Sequence, residues 1–203
     1  MTGRNARAKL DAIRKQEAAR VRRRRFIGVG AGAVALVVVA LLITWAVTRP
    51  PAQQPTALSG LTTYPGLSRD HVSGPVSYQQ TPPAGGPHAA VWQNCGIYTS
   101  PVPNENAVHS LEHGAFWITY RPDLPADQVA ALRADVTGQP YALLSPYEGL
   151  PAPVVATAWG VQLKLENATD PQLKSFINKY ADARKAPEPR GECTGGAGTP
   201  ASR

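Results

Sequence analysis

Apolar residues follow two regimes along this chain. From Phe26 to Val47 they form one continuous run, FIGVGAGAVALVVVALLITWAV, with Thr44 as its single hydroxyl and no proline. At 1.5 Å per residue such a run extends about 33 Å, enough for a hydrocarbon core of roughly 30 Å. Only a helix satisfies its own backbone there. Beyond position 47 the apolar residues come in short blocks separated by proline and glycine, the pattern of a folded domain of small elements.

Those blocks predict the following elements. His71–Tyr78 contains a short strand. Residues 81–88 (TPPAGGPH) are a loop, since two prolines and two glycines cannot sit inside a regular element. Asn104 caps a helix over Glu105–His113, with Gly114 as its left-handed stop. Ala115–Tyr120 (AFWITY) is a strand of aromatic and β-branched residues. Pro125–Val136 is a second helix with Gly138 beyond its end, and Tyr141–Ser145 and Val154–Trp159 are short strands. Pro171–Ala183 is a third helix, with Leu173, Phe176, Ile177 and Tyr180 at helical spacing. Helices alternating with strands, some of them hairpin-like, predict an α+β domain with a small mixed sheet and about three helices.

Composition sets the boundaries. All 20 prolines lie at or after position 50, so the chain changes character where the apolar run ends. The expected organisation is a basic tail at 1–25, a transmembrane helix at 26–47 and a proline-rich linker at 48–63. An extracytoplasmic domain at 64–185 and a flexible tail at 186–203, tied only at Cys193, complete it. Charge supports this division. Of the net charge of +7, residues 1–25 contribute ten Lys/Arg against Asp11 and Glu17, while residues 48–203 carry eleven Lys/Arg against twelve Asp/Glu. The folded part is near neutral, which excludes a basic nucleic-acid footprint. Arg22–Arg25 directly before the apolar run keep the N-terminus cytoplasmic and place the domain outside, with Trp45 near the interface. A secretory signal peptide has an apolar region of about 7–15 residues, shorter than this one, so the segment is expected to remain as an anchor in the cell membrane. The tail at 1–25 is expected on the inner leaflet, where anionic lipids attract basic side chains.

The chain has two cysteines, Cys95 and Cys193, and both fall in a compartment that permits disulfides. A bridge would tie the tail back to the domain. Two free thiols, or Cys95 as a metal ligand, are the alternatives.

The four histidines, His71, His88, His109 and His113, lie within 43 positions. At about 100° per residue, Glu105, His109, Glu112 and His113 share one arc of the predicted helix. Imidazoles four apart suit zinc or copper, with a carboxylate as third ligand or as partner of a ring nitrogen. The Gly-Gly-Pro turn before His88 brings a further imidazole to that face, and His71 is a candidate fourth ligand. His109-Ser-Leu-Glu112-His113 also has the H-x-x-E-H spacing in which Glu112 would be a general base on metal-bound water. A blue-copper site is disfavoured, since the sole methionine is Met1. Against all of these stands structural packing, in which the same histidines and carboxylates hydrogen-bond into the domain.

The run from Thr81 to Pro125 resembles the family known as domain of unknown function 3105. The resemblance rests on Pro82-Pro83, Gly86-Pro87-His88, Trp92, Cys95-Gly96-x-Tyr98, and Glu105 through Val108-His109-x-Leu111-Glu112-His113-Gly114, with Cys193 late in the chain. It covers roughly 71–193. Ala84 and Gly85 depart from it, standing where the family often has a hydroxyl pair. The resemblance implies one membrane helix with an outer domain, as is usual in high-GC Gram-positive bacteria, and implies no activity. Three functions follow as expectations. The first is a membrane-anchored protein binding zinc or copper through His88, His109 and His113, with Glu112, Glu105 or His71 assisting. The second is a metal-free recognition or structural module with a cell-envelope partner. The third is a metal-dependent hydrolase using Glu112.

Overall fold

The computed structural model describes residues 38–45, 48 and 58–202. The chain divides into two units, Met1–Gln54 and Pro55–Arg203. In the first, residues 38–45 are helical, and Val38, Val39, Leu41, Leu42, Ile43 and Trp45 are exposed. Thr44 returns its hydroxyl to the carbonyls of Ala40 and Leu41. Most of the expected 26–47 span, and the whole basic tail 1–25, lie outside the described residues. Among the described residues no helix is long and apolar enough to cross a membrane.

The second unit is α+β. Its elements run β1 (Thr62–Thr63), β2 (Gly96–Ile97), α1 (Asn104–Glu112), β3 (Phe116–Tyr120), α2 (Ala126–Val136), β4 (Ala142–Pro146), β5 (Val154–Ala158), β6 (Val161–Leu165) and α3 (Pro171–Tyr180). They form one six-stranded sheet in the order β1-β6-β5-β3-β4-β2. β3 and β4 pair in parallel, as do β4 and β2, and the remaining pairs are antiparallel. The mixture follows from the connections. β5 and β6 are joined by the tight turn Trp159-Gly160 and must be antiparallel, whereas α2 carries the chain from β3 back to the start of β4.

Alternation along the strands gives the sheet two different faces. Phe116, Ile118, Leu144, Val154, Ala156 and Leu163 face Leu132 and Val136 of α2 and Leu173, Phe176 and Ile177 of α3, all in one apolar cluster. The opposite face carries Trp117, Thr119, Ser145, Thr157 and Gln162, all buried. Its polar atoms are partnered: the Trp117 indole donates to Ser145 Oγ at 3.0 Å and Thr119 Oγ1 donates to the Val155 carbonyl at 3.1 Å. α1 packs over this side with Cys95, Tyr98, Ala107, Leu111 and Trp117.

Several expectations need correction. His71–Tyr78 is not a strand; it makes only an isolated bridge, His71 to His88, because the rest of that segment has no neighbouring strand to pair with. Val161–Leu165 is a strand that the sequence reading did not predict. α1 begins behind Pro103 with no side-chain cap, and Asn104 is inside the helix. α3 ends at Tyr180 rather than Ala183, which adopts φ 56°. The unit also begins before position 64. β1 pairs with β6, and Ser59 donates to Gln172 Oε1.

The largest difference is at the C-terminus. Residues 186–202 form a strap bonded along 92–98 rather than a loose tail. Cys95 and Cys193 are disulfide-bonded, with Cα atoms 5.3 Å apart, which removes Cys95 as a metal ligand. Cys95 N donates to the Cys193 carbonyl, Ala197 N to Trp92, Asn94 N to Ala197, and Ile97 N to Ser202, each at 2.8 Å. Glycine and proline content suggested disorder, but backbone pairing with a partner segment does not register in composition.

Gly114 ends α1 at φ 101°, and a Cβ there would lie 2.5–2.8 Å from Ala183 atoms. Gly138 has φ 78° but open space around it. Gly114→Ala therefore combines a left-handed penalty with overpacking and should lower stability by about 2–4 kcal/mol, against about 1 kcal/mol for Gly138→Ala. Urea unfolding of both variants checks this, and equal losses would show that the contact with Ala183 carries no weight.

Candidate metal centre

α1 is buried on all sides from Ala107 to Glu112. Its apolar residues meet the sheet, and its polar arc is covered by chain rather than by water. Two segments form that cover. The first, 69–93, is fastened to the end of the β5–β6 hairpin. Gln162 Nε2 donates to the Pro82 carbonyl at 2.6 Å, and Gly160 N donates to Ala84 at 2.7 Å. The loop then turns through Gly85 and Gly86, both at positive φ, to deliver His88. A Cβ at Gly85 would meet Leu67 at 2.7 Å and Trp159 at 3.2 Å, so a larger side chain at this position would have to displace Leu67 and press on the Trp159 ring. His88 N donates to Asp70 and Val72 N to His88, which sets His71 and His88 side by side. Ala89–Gln93 then runs along α1, where Ser110 Oγ donates to the Gln93 carbonyl.

The second cover is the strap. Glu188 N donates to the Glu112 carbonyl at 3.0 Å. Gly191 lies against His113, where a Cβ would approach the ring carbons Cγ and Cδ2 to 2.5 and 2.6 Å.

Between these covers three of the four histidines are held in one way. His88 Nδ1 lies 2.8 Å from the Gly86 carbonyl, His109 Nδ1 2.7 Å from Ala89, and His113 Nδ1 2.5 Å from Glu192. A carbonyl oxygen can only accept, so each Nδ1 carries the hydrogen. Each ring thus turns its Nε2 toward the cluster, the nitrogen that a neutral ring of this tautomer offers to a metal.

These Nε2 atoms point at one another and at carboxylates. His109 Nε2 and His113 Nε2 face each other at 2.9 Å. His88 Nε2 is fully buried and stands 2.9 Å from Glu112 Oε2, within ion-pair distance, and has no hydrogen-bond partner. Glu112 Oε1 accepts from Arg69 Nε at 2.5 Å. The rings are also in mutual contact. His71 stacks on His109 at 4.8 Å between centroids, and His88 and His109 meet edge to face at 4.9 Å. Trp92 packs against His109 and His113, and Trp159 against His88. Burial among these rings lowers the pKa of His109 below its ordinary value, reinforced by the neighbouring histidines and opposed by the Ala89 hydrogen bond.

The donor atoms fall into two groups, each with all its atoms within 4.8 Å of one another. One contains His71, His88, His109 and Glu112; the other contains His109, His113 and Glu188. The expected trio of His88, His109 and His113 is thus split, with His109 in both groups and His88 and His113 in different ones. Glu105, expected to assist, belongs to neither. Its Oε1 instead accepts from Val76 N at 2.9 Å and holds the covering segment down. Arg69 and Glu188 were missed. Arg69 carries no signal of its own. Glu188 lies five positions before Cys193, and the disulfide was the clue that would have brought it to α1.

The family model described as protein of unknown function (DUF3105) matches residues 71–195, more than half of the chain, and the chain belongs to that family. No curated protein and no solved structure matches the chain. The matched span contains the four histidines, Glu112, Glu188 and both cysteines.

His109 supplies a pH dependence whose sign is fixed. Its native pKa lies below the unfolded value near 6.5. Between those two values the unfolded chain binds more protons. The contribution to stability is whole above about pH 6.5, is lost as pH falls toward the native pKa, and is constant below it. In chelator, the melting temperature of the parent should fall more steeply from pH 7.5 to 5 than that of His109→Gln. Parallel curves would mean that His109 is as readily protonated in the fold as outside it.

Proposed function

We propose that this is a single-pass membrane protein whose extracytoplasmic domain binds one transition-metal ion, zinc or copper, at His71, His88, His109 and Glu112. The observation that carries the reading is His88 Nε2: fully buried, without a hydrogen-bond partner, and next to a carboxylate. Two acceptors brought together out of water repel unless positive charge lies between them. A divalent ion supplies that charge, and three imidazoles with one carboxylate are a donor set suited to zinc or copper(II). Coordination asks only for small adjustments, since two nitrogens on one tetrahedral zinc lie about 3.3 Å apart and the four donor atoms already lie within 4.8 Å of one another.

Anchoring is supported by the apolar run 26–47, by the exposed apolar side chains of helical residues 38–45, and by Arg22–Arg25 before them. The disulfide suits an oxidising space outside the cytoplasm. The basic tail suits the anionic inner leaflet. The role that follows is metal handling at the cell envelope. The hydrolase reading gains no support, because the Glu112 oxygens face Arg69 and His88 rather than an open water position.

The alternative is a metal-free module in which a second proton on His88 closes an Arg69–Glu112–His88 chain of charges. Elemental analysis separates the two. The full-length chain, purified in detergent without a histidine tag, should carry about one equivalent of zinc or copper. His88→Ala/His109→Ala should lose it while keeping its circular dichroism. Absence of metal from the parent, even after zinc or copper is added, would overturn the proposal and leave the envelope module.

A further inference from the structure

The two donor groups meet at a single atom. His109 uses Nδ1 on the Ala89 carbonyl, so Nε2 is the one nitrogen it can offer to either group. One lone pair holds one ion. The inner group of His71, His88, His109 and Glu112 and the outer group of His109, His113 and Glu188 cannot both be filled by separate ions. The outer group nonetheless has the features of a site. His113 is buried, its Nδ1 hydrogen is committed to Glu192, and its Nε2 lies 3.1 Å from Glu188 Oε2 and 2.9 Å from His109 Nε2.

Building on the metal site proposed above, we infer that His113 and Glu188 form a second, alternative position for the same ion, and that the domain passes one divalent transition metal between the inner and outer positions while His109 stays bound. The exchange balances. His71, His88 and Glu112 release as His113 and Glu188 bind, no electron moves, and each position contributes one carboxylate, so the net charge at the ion is unchanged. Vacated Glu112 keeps Arg69 as its counter-charge. Burial and donor number give the two positions different roles. The inner position has four protein donors, three of them buried, and suits storage. The outer one has three, with Glu188 on the exposed strap and its side chain 56% exposed. Three protein ligands leave a coordination place free for an incoming donor. That place fits a metal carrier bearing its own nitrogen, oxygen or sulfur ligand, so loading and unloading would proceed through the outer position.

The test uses cobalt(II) on the full-length chain in detergent, reading stoichiometry, the visible spectrum, and the rate of release to excess EDTA. The parent should bind one equivalent. Glu188→Gln, an exposed change that leaves the fold intact, and His113→Ala should each keep one equivalent and the parent spectrum but release cobalt about tenfold more slowly. His88→Ala should bind more weakly with an altered spectrum, and that residual binding should vanish in His88→Ala/His113→Ala. Two equivalents in the parent, or parent-like release from both Glu188→Gln and His113→Ala, would overturn the shared-ion inference while leaving the inner site standing. No cobalt bound by the parent would overturn both.

Discussion

The structure depends on burying the polar side of α1. A helix that packs its apolar side on a sheet ordinarily leaves its other side to water. Here Glu112, His109 and His113 are all at most 5% exposed, so each must be answered by protein. The answers come from segments with little regular structure, 69–93 and 186–193, and this explains why they are ordered. Their carbonyls at Gly86, Ala89 and Glu192 accept the imidazole hydrogens, and Arg69 meets the carboxylate. Committing the Nδ1 atoms in this way leaves the Nε2 atoms turned toward one another and toward Glu112 and Glu188, with His88 Nε2 lacking a hydrogen-bond partner. One choice of hydrogen-bond partner thus sets both the stability of the covering segments and the chemistry of the site.

The sheet serves this arrangement through its asymmetry. The side facing α2 and α3 is built from Phe, Ile, Leu and Val and is the main apolar core. The side under α1 carries Ser145, Thr119, Thr157 and Gln162, whose polar atoms meet the Trp117 indole, neighbouring backbone or one another. Gln162 is the link between the two parts. Its amide holds the Pro82 carbonyl while its oxygen accepts from the Tyr64 hydroxyl. A strand residue thereby fixes the loop that delivers His88.

Legibility in the sequence followed the range of the interaction. β3, β4, β5, α2 and α3 were readable because apolar periodicity and β-branched or aromatic runs are local. β6 (VQLKL) escaped notice because its alternation is short and it follows a two-residue turn without a break. The i, i+4 pair of His109 and His113 was readable from helix geometry, and the disulfide from compartment and cysteine count. The division of the histidines into two groups was not, since it depends on the His71–His88 bridge and on the strap's path. Glu105 shows the same limit. Its position on the helix face is right, but the chain covering that turn offers it a backbone amide first.

The strap has a consequence for assembly order. Glu188, Glu192 and Cys193 follow every strand and helix of the domain in sequence. A ribosome therefore delivers them after the sheet and all three helices of the domain have been made. Until then His113 has neither its carbonyl nor its carboxylate neighbour, and the ring is open on that side. The histidine cluster is thus completed late in biosynthesis: a chain ended before Glu188 retains every strand and helix of the domain but lacks the carboxylate and the carbonyl that face His113.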